Sequence, residues 1–135
     1  MNILYPLFGM VVLTICIVPL VFFARVKQIR TGNLKIEFFE LYDGTGAPPD
    51  VTKTTRHLSN LFEMPILFYV ACLTAFVLGL DSALLIYLGW GYVIVRAIHA
   101  FIQLTYNKVV HRITAFMLSN VMVITMWGII IIQST

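Results

Sequence analysis

Charge is scarce in this chain of 135 residues: nine Lys and Arg and six Asp and Glu make 11% of it, against 60% hydrophobic residues. With a mean hydropathy of +0.93, that excludes an ordinary soluble domain and leaves an integral membrane protein. The length has room for a single domain over residues 1–135. Cysteine is scarce too. Cys16 and Cys72 each lie deep in an apolar run, which argues against a disulfide framework or a thiolate metal site and casts both as small apolar packing residues. Internal repeats and low-complexity tracts are absent. No basic residue precedes the first apolar run, whereas a cluster follows it. A secretory signal peptide has its positive charge first, so this run is expected to be an uncleaved anchor.

What is present is four apolar runs, roughly Ile3 to Ala24, Arg56 to Gly79, Ser82 to Tyr106 and Arg112 to Gln133. Each is close to the ~20 residues a helix needs to cross a bilayer. Every Lys and Arg falls in or beside the first and third connections or at the adjoining ends of the spans: Arg25, Lys27, Arg30, Lys35, Lys53, Arg56, Arg96, Lys108 and Arg112. The second connection, around Asp81, and both termini carry none. By the positive-inside rule the first and third connections are expected in the cytoplasm and both termini outside.

The first connection, about Arg25 to Thr55, is longer than a structureless link between adjacent helices usually is. Its first part mixes charge with Leu34, Ile36, Phe38, Phe39 and Leu41, a pattern suited to folding back onto the bundle. Gly44, Gly46, Pro48 and Pro49 then interrupt regular structure. Asp50 is placed to cap the second helix, whose extension ahead of the membrane is expected from about Val51.

Two polar stripes interrupt the hydrocarbon. Arg56, Asn60 and Glu63 stand at i, i+4 and i+7 on the second helix, one face of it. Pro65 follows directly and should bend the helix by removing a backbone hydrogen bond. The third helix carries Arg96, His99, Gln103 and Tyr106, again on one face. The two helices run in opposite directions, Glu63 lies about 10 Å along its helix from Arg56, and Arg96 about 15 Å from Tyr106. Both stripes therefore share the cytoplasmic half. Ionisable groups at that depth are costly unless they face a bundle interior or a watery cavity, which makes them candidates for a site. Buried polar side chains also hold membrane helices together, for about 0.6 to 2 kcal/mol each. One ion pair, such as Glu63 with Arg96, would explain two of these residues and leave the others unexplained. Arg112, at the start of the fourth helix, stands at the mouth of the same region. Lys108 and His111 read as anchors at the membrane surface, and Ser119, Asn120 and Thr125 as packing residues.

The stretch Pro49-Asp50-Val51 followed by Arg56, Asn60 and Glu63 resembles the second-helix motif of the MAPEG superfamily, the membrane-associated proteins in eicosanoid and glutathione metabolism. Arg96-Ala97-Ile98-His99 is similar to the third-helix signature of its prostaglandin-E-synthase branch, and Arg112 lies at the spacing of a later arginine there. The likeness spans the chain. It implies an all-α bundle of four transmembrane helices, assembled as a homotrimer with glutathione bound between subunits. It further implies that Arg56 and Glu63 contact the charged groups of the tripeptide, that Asn60 helps hold the peptide, and that Arg112 favours the thiolate. Arginines suit glutathione's two carboxylates, Glu63 suits its ammonium, and a cation near the sulfur promotes the nucleophilic thiolate. Two positions depart from the pattern: Met64 stands beside Glu63 where eicosanoid-forming members have a tyrosine close by, and Gln103 stands where a tyrosine is expected, with Tyr106 one turn on.

The leading expectation is a bacterial-type inner-membrane protein that conjugates glutathione, or another small polar thiol, to lipophilic electrophiles. Arg56, Asn60, Glu63, Arg96, His99, Gln103 and Tyr106 would bind the thiol compound and Arg112 would act on its sulfur. The expected partners are two further copies of the chain, the bilayer and a lipophilic small molecule, with no nucleic acid and no metal. A non-catalytic membrane protein with a polar ligand- or lipid-binding pocket is the alternative. A small transporter ranks last, because the outer half is nearly devoid of charge.

Overall fold

The computed structural model describes residues 2–40, 45–80 and 82–134; Leu41, Tyr42, Gly44 and Asp81 lie outside the described residues. A bilayer offers no water to backbone amides and carbonyls, so each apolar run must satisfy them within itself, as helix. The helices are α1 (Leu4–Arg30), α2 (Pro49–Glu63), α3 (Pro65–Val77), α4 (Ala83–Leu104) and α5 (Val109–Ser134), with a short 3-10 helix at Ile36–Phe39. Four stretches are long and apolar enough to cross a membrane: α1, α2 continued by α3, α4, and α5. The protein is an all-α, four-helix integral membrane bundle.

α1 extends past Ala24 to Arg30, a length of 27 residues. At about 40 Å against a hydrocarbon core of about 30 Å, its last turns carry Lys27 and Arg30 beyond the apolar layer. Gly32 ends it with φ +73°, a left-handed conformation that costs glycine nothing, and the amides that follow close back onto the last carbonyls, Asn33 N–H reaching Gln28 O at 3.1 Å. The chain beyond turns back: the Arg25 guanidinium lies 5.3 Å from the centre of the Phe39 ring, and Phe38 meets Phe39 edge-on at 5.3 Å. Ile36 is exposed.

α2 begins at Pro49, earlier than the sequence suggests, because proline at the first helical position has the right φ and lacks only an amide with no partner to find there. Pro48 takes the capping position, without a side-chain cap. Asp50 falls inside the first turn instead: its Oδ1 accepts the Val51 amide at 2.9 Å and its Oδ2 accepts Gln28 Nε2 at 2.8 Å. Gln28 Oε1 in turn accepts Asn33 Nδ2 at 2.9 Å. A residue expected to cap one helix thus clasps the ends of two.

Pro65 interrupts the hydrogen-bond ladder and divides the second span into α2 and α3, while Met64 between them keeps helical angles of −70° and −36°. α4 is the hub, packed against α5, α1 and α2. Between α3 and α4, Phe68 stacks on Tyr92 with ring centres 4.3 Å apart. Gly89 of α4 admits Pro6 of α1 so closely that a Cβ there would lie 2.9 Å from the proline ring; small residues permit such approaches between membrane helices. Trp127 Nε1 donates to Leu67 O at 3.2 Å and ties α5 to α3. Cys72 is buried among these contacts, as a packing residue should be, but Cys16 is exposed on the outside of α1.

Candidate functional site

The basic end of the bundle, where the first and third connections lie, gathers polar side chains from α2, α4 and α5. α2 buries Val51, His57 and Leu61. With 3.6 residues per turn, Asn60 falls at the border of that face while Arg56 and Glu63 fall roughly opposite it. Both are accordingly exposed and Asn60 is partly buried. The stripe is real, but only one of its three members turns toward α4.

From α4 the wholly buried Arg96 meets it, Nη2 donating to Asn60 O at 3.2 Å and to Asn60 Oδ1 at 3.4 Å. Its Nε and Nη1 are buried without a hydrogen-bond partner. One and two turns along, His99 and Gln103 are buried as well. Gln103 does not line the cavity: its Oε1 lies 3.1 Å from His57 Nδ1. With the amide oxygen as acceptor, Nδ1 is the donor of this pair, and Nε2 is buried with no hydrogen-bond partner. The His57 and His99 rings stack, with centres 5.7 Å apart and planes 27° apart.

Against this wall opens a cavity of about 220 Å³ lined by Asn60, His99, Arg112, Ile113 and Phe116. Phe116 tilts over His99 at 6.2 Å between ring centres. α5 starts at Val109, so Arg112 belongs to its first turn. There the residue is partly buried and its guanidinium donates from Nη1 to Asn107 Oδ1 at 3.0 Å. Tyr106 is placed elsewhere. α4 ends at Leu104, so Tyr106 leaves the helical stripe; half-exposed, it pairs with His111, OH to Nδ1 at 3.1 Å. A larger cavity, about 450 Å³, lies at the opposite end between the start of α1 and the end of α3, lined by Asn2, Ile3, Tyr5, Ala75, Phe76, Gly79 and Leu80. Among the described residues that line it, none carries a charged or imidazole group.

The fold thus brings Asn60, Arg96, His99, Gln103 and Arg112 together and leaves Arg56, Glu63 and Tyr106 outside. His57 was not among the residues singled out by sequence. Its signal was available: it stands four residues before Leu61, on the apolar side of α2, where a titratable ring needs a reason. Asn107 gave no signal, since an asparagine in a turn is ordinary until its side chain is located. The cavity offers a guanidinium, an imidazole and an amide, and its lining contains no acid. Such a donor set suits an anion or a polarisable sulfur.

The chain matches the family model described as the MAPEG family over residues 3–132. No curated protein and no solved structure matches it.

Proposed function

Because the chain belongs to the MAPEG family, a superfamily of membrane proteins in glutathione and eicosanoid metabolism, we propose that it is a glutathione transferase acting on lipophilic electrophiles. The observation that carries this reading is the partly buried Arg112 facing a cavity shared with Asn60 and His99. A fixed positive charge in a poorly hydrated place favours the ionised form of a nearby thiol. The reaction follows: the glutathione thiol gives its proton to water, the sulfur forms a bond to an electrophilic carbon, and the leaving group departs with its electron pair. Ile113 and Phe116 on the cavity wall suit a substrate that arrives from the acyl chains.

The assembly in this reading is a homotrimer in a bacterial inner membrane, with the basic end toward the cytoplasm. Arg56 and Glu63 support it: they are exposed on α2 within a span, and charges facing lipid are expensive. A neighbouring subunit would enclose them and complete the site, Arg56 for a carboxylate and Glu63 for the ammonium of glutathione. Gln103 and Tyr106, engaged by His57 and His111, favour a second reading in which the pocket binds a thiol peptide without turnover, since no hydroxyl lines the cavity to aid the sulfur.

Ultraviolet thiolate absorbance of bound glutathione, titrated with the trimer in detergent, separates the two. A neighbouring opposite charge lowers a pKa by roughly one to three units, so wild type should hold thiolate at neutral pH and conjugate a model aromatic halide. Arg112→Leu should lose both. Tight binding of an un-ionised thiol by both proteins would leave only the second reading.

A further inference from the structure

The turn between α4 and α5 does more than reverse the chain. Thr105 N–H closes on Phe101 O at 3.0 Å, Asn107 N–H on Ile102 O at 2.8 Å, and Arg112 N–H on Lys108 O at 3.1 Å. Asn107 between them has φ +49°, the one left-handed residue other than glycine among those described. Glycine adopts that conformation freely, and asparagine and aspartate adopt it more readily than other residues. Any of the three would end α4 here. Only one of them also carries a neutral acceptor, and that acceptor lies 3.0 Å from Arg112 Nη1.

We propose that Asn107 is the positioning residue for Arg112, holding the guanidinium at the cavity through its side-chain carbonyl while leaving the positive charge unopposed. This rests on the reading that Arg112 acts on a bound thiol. Glycine at the same place would keep the turn and free the arginine, a long side chain with much rotamer freedom to lose on each approach to the sulfur. Aspartate would keep turn and tether, but its carboxylate would form an ion pair and cancel the field that favours a thiolate. Asparagine ties up one of the guanidinium's five donors. The others make no hydrogen bond among the described residues and are left for the ligand. Both helix ends are fixed by the same turn, so the tether also sets the distance between Arg112 on α5 and His99 on α4. Because the roles of turn former and tether reside in one residue, substitutions that preserve the first can expose the second.

The experiment uses the full chain as it assembles in detergent, with Asn107→Gly and Asn107→Asp beside wild type and glutathione as the probe. All three should melt alike. Bound thiol should be most acidic in wild type, roughly tenfold less acidic in Asn107→Gly, and nearest to free glutathione in Asn107→Asp. The kcat with an aromatic halide should fall in the same order, about tenfold and then about a hundredfold, following the loss of thiolate. KM for glutathione should change by less than about twofold, because the tripeptide's charged ends are held elsewhere. A purely structural role would leave the titration unmoved. Wild-type titration and kcat in both folded variants would therefore overturn the proposal while sparing the transferase reading. Nitrogen-15 relaxation of the Arg112 side chain without ligand supplies a test free of that reading: it should be restrained in wild type and Asn107→Asp and mobile in Asn107→Gly. An Arg112 equally mobile in all three would remove the tether. Failure of wild type to ionise glutathione with Arg112 restrained would instead sink the transferase reading.

Discussion

α1 and α4 are both apolar enough to cross a bilayer, and they do opposite work. α1 buries five of its 27 residues, Pro6, Met10, Ile17, Val21 and Gln28, while α4 buries eleven of its 22, among them Arg96, His99 and Gln103. Tyr5, Phe8, Ile15, Phe22 and Phe23 of α1 stay exposed, which in lipid costs nothing because acyl chains are as apolar as they are. Hydropathy thus assigns the medium, and it is the polar residues that identify the neighbours. A helix that carries arginine and histidine through hydrocarbon has to turn them toward protein, so the helix least suited to lipid becomes the centre of the bundle.

The contrast is open to attack by substitution. The largest difference should come from Tyr92→Ala on α4 set against Phe23→Ala on α1. Tyr92 is wholly buried against Phe68; in lipid the transfer part of a truncation penalty vanishes, and the remaining cavity part amounts to about 2 to 3 kcal/mol. Phe23, 64% exposed, should cost less than about 0.5 kcal/mol. Reversible unfolding in mixed micelles measures both, and equal losses would break the comparison.

Where the two helices touch, overpacking sharpens it. Gly89→Ala drives a methyl into the rigid Pro6 ring, 2.9 Å away, and should destabilise by about 1 to 2 kcal/mol. Gly128→Ala on α5, with nothing within 4 Å, should be neutral or gain roughly 0.5 to 1 kcal/mol from helix propensity. A stability ranking with Gly128→Ala below Gly89→Ala would contradict the packing described.

The smallest effect concerns the polar contact that α1 does own. Gln28→Leu removes the bond to Asp50 and the one to Asn33, a loss of about 1 kcal/mol confined to the ends of α1 and α2. Amide exchange should quicken from Thr31 to Leu34 and at Val51, with exchange in α4 unchanged. Faster exchange throughout α4 would show that the clasp supports the whole bundle.

Much of the fold was legible in the sequence because lipid simplifies the problem: long apolar runs must be helices, and basic residues mark their ends. Pro65 was readable for the same reason, having no amide to give. The site was legible in part. The spacing of Arg56, Asn60 and Glu63 says that they share a stripe, but a stripe has two edges, and which edge faces α4 depends on Val51, His57 and Leu61 occupying the buried side. Tyr106 was misplaced by extending a periodic pattern two residues past the end of the helix. His57 and Asn107 are bonded to residues 46 and 5 positions away, pairings that no local pattern encodes.

The two cysteines make one measurement unusually clean. Cys72 is fully enclosed, and Cys16 sits near the middle of α1, about 18 Å from its start, on the outer face of a span whose medium is acyl chains. A water-soluble thiol reagent has a path to neither. In a titration of the protein with its ligand, the thiol open to water is the one supplied from outside, so neither cysteine of the chain competes in the chemistry proposed for it.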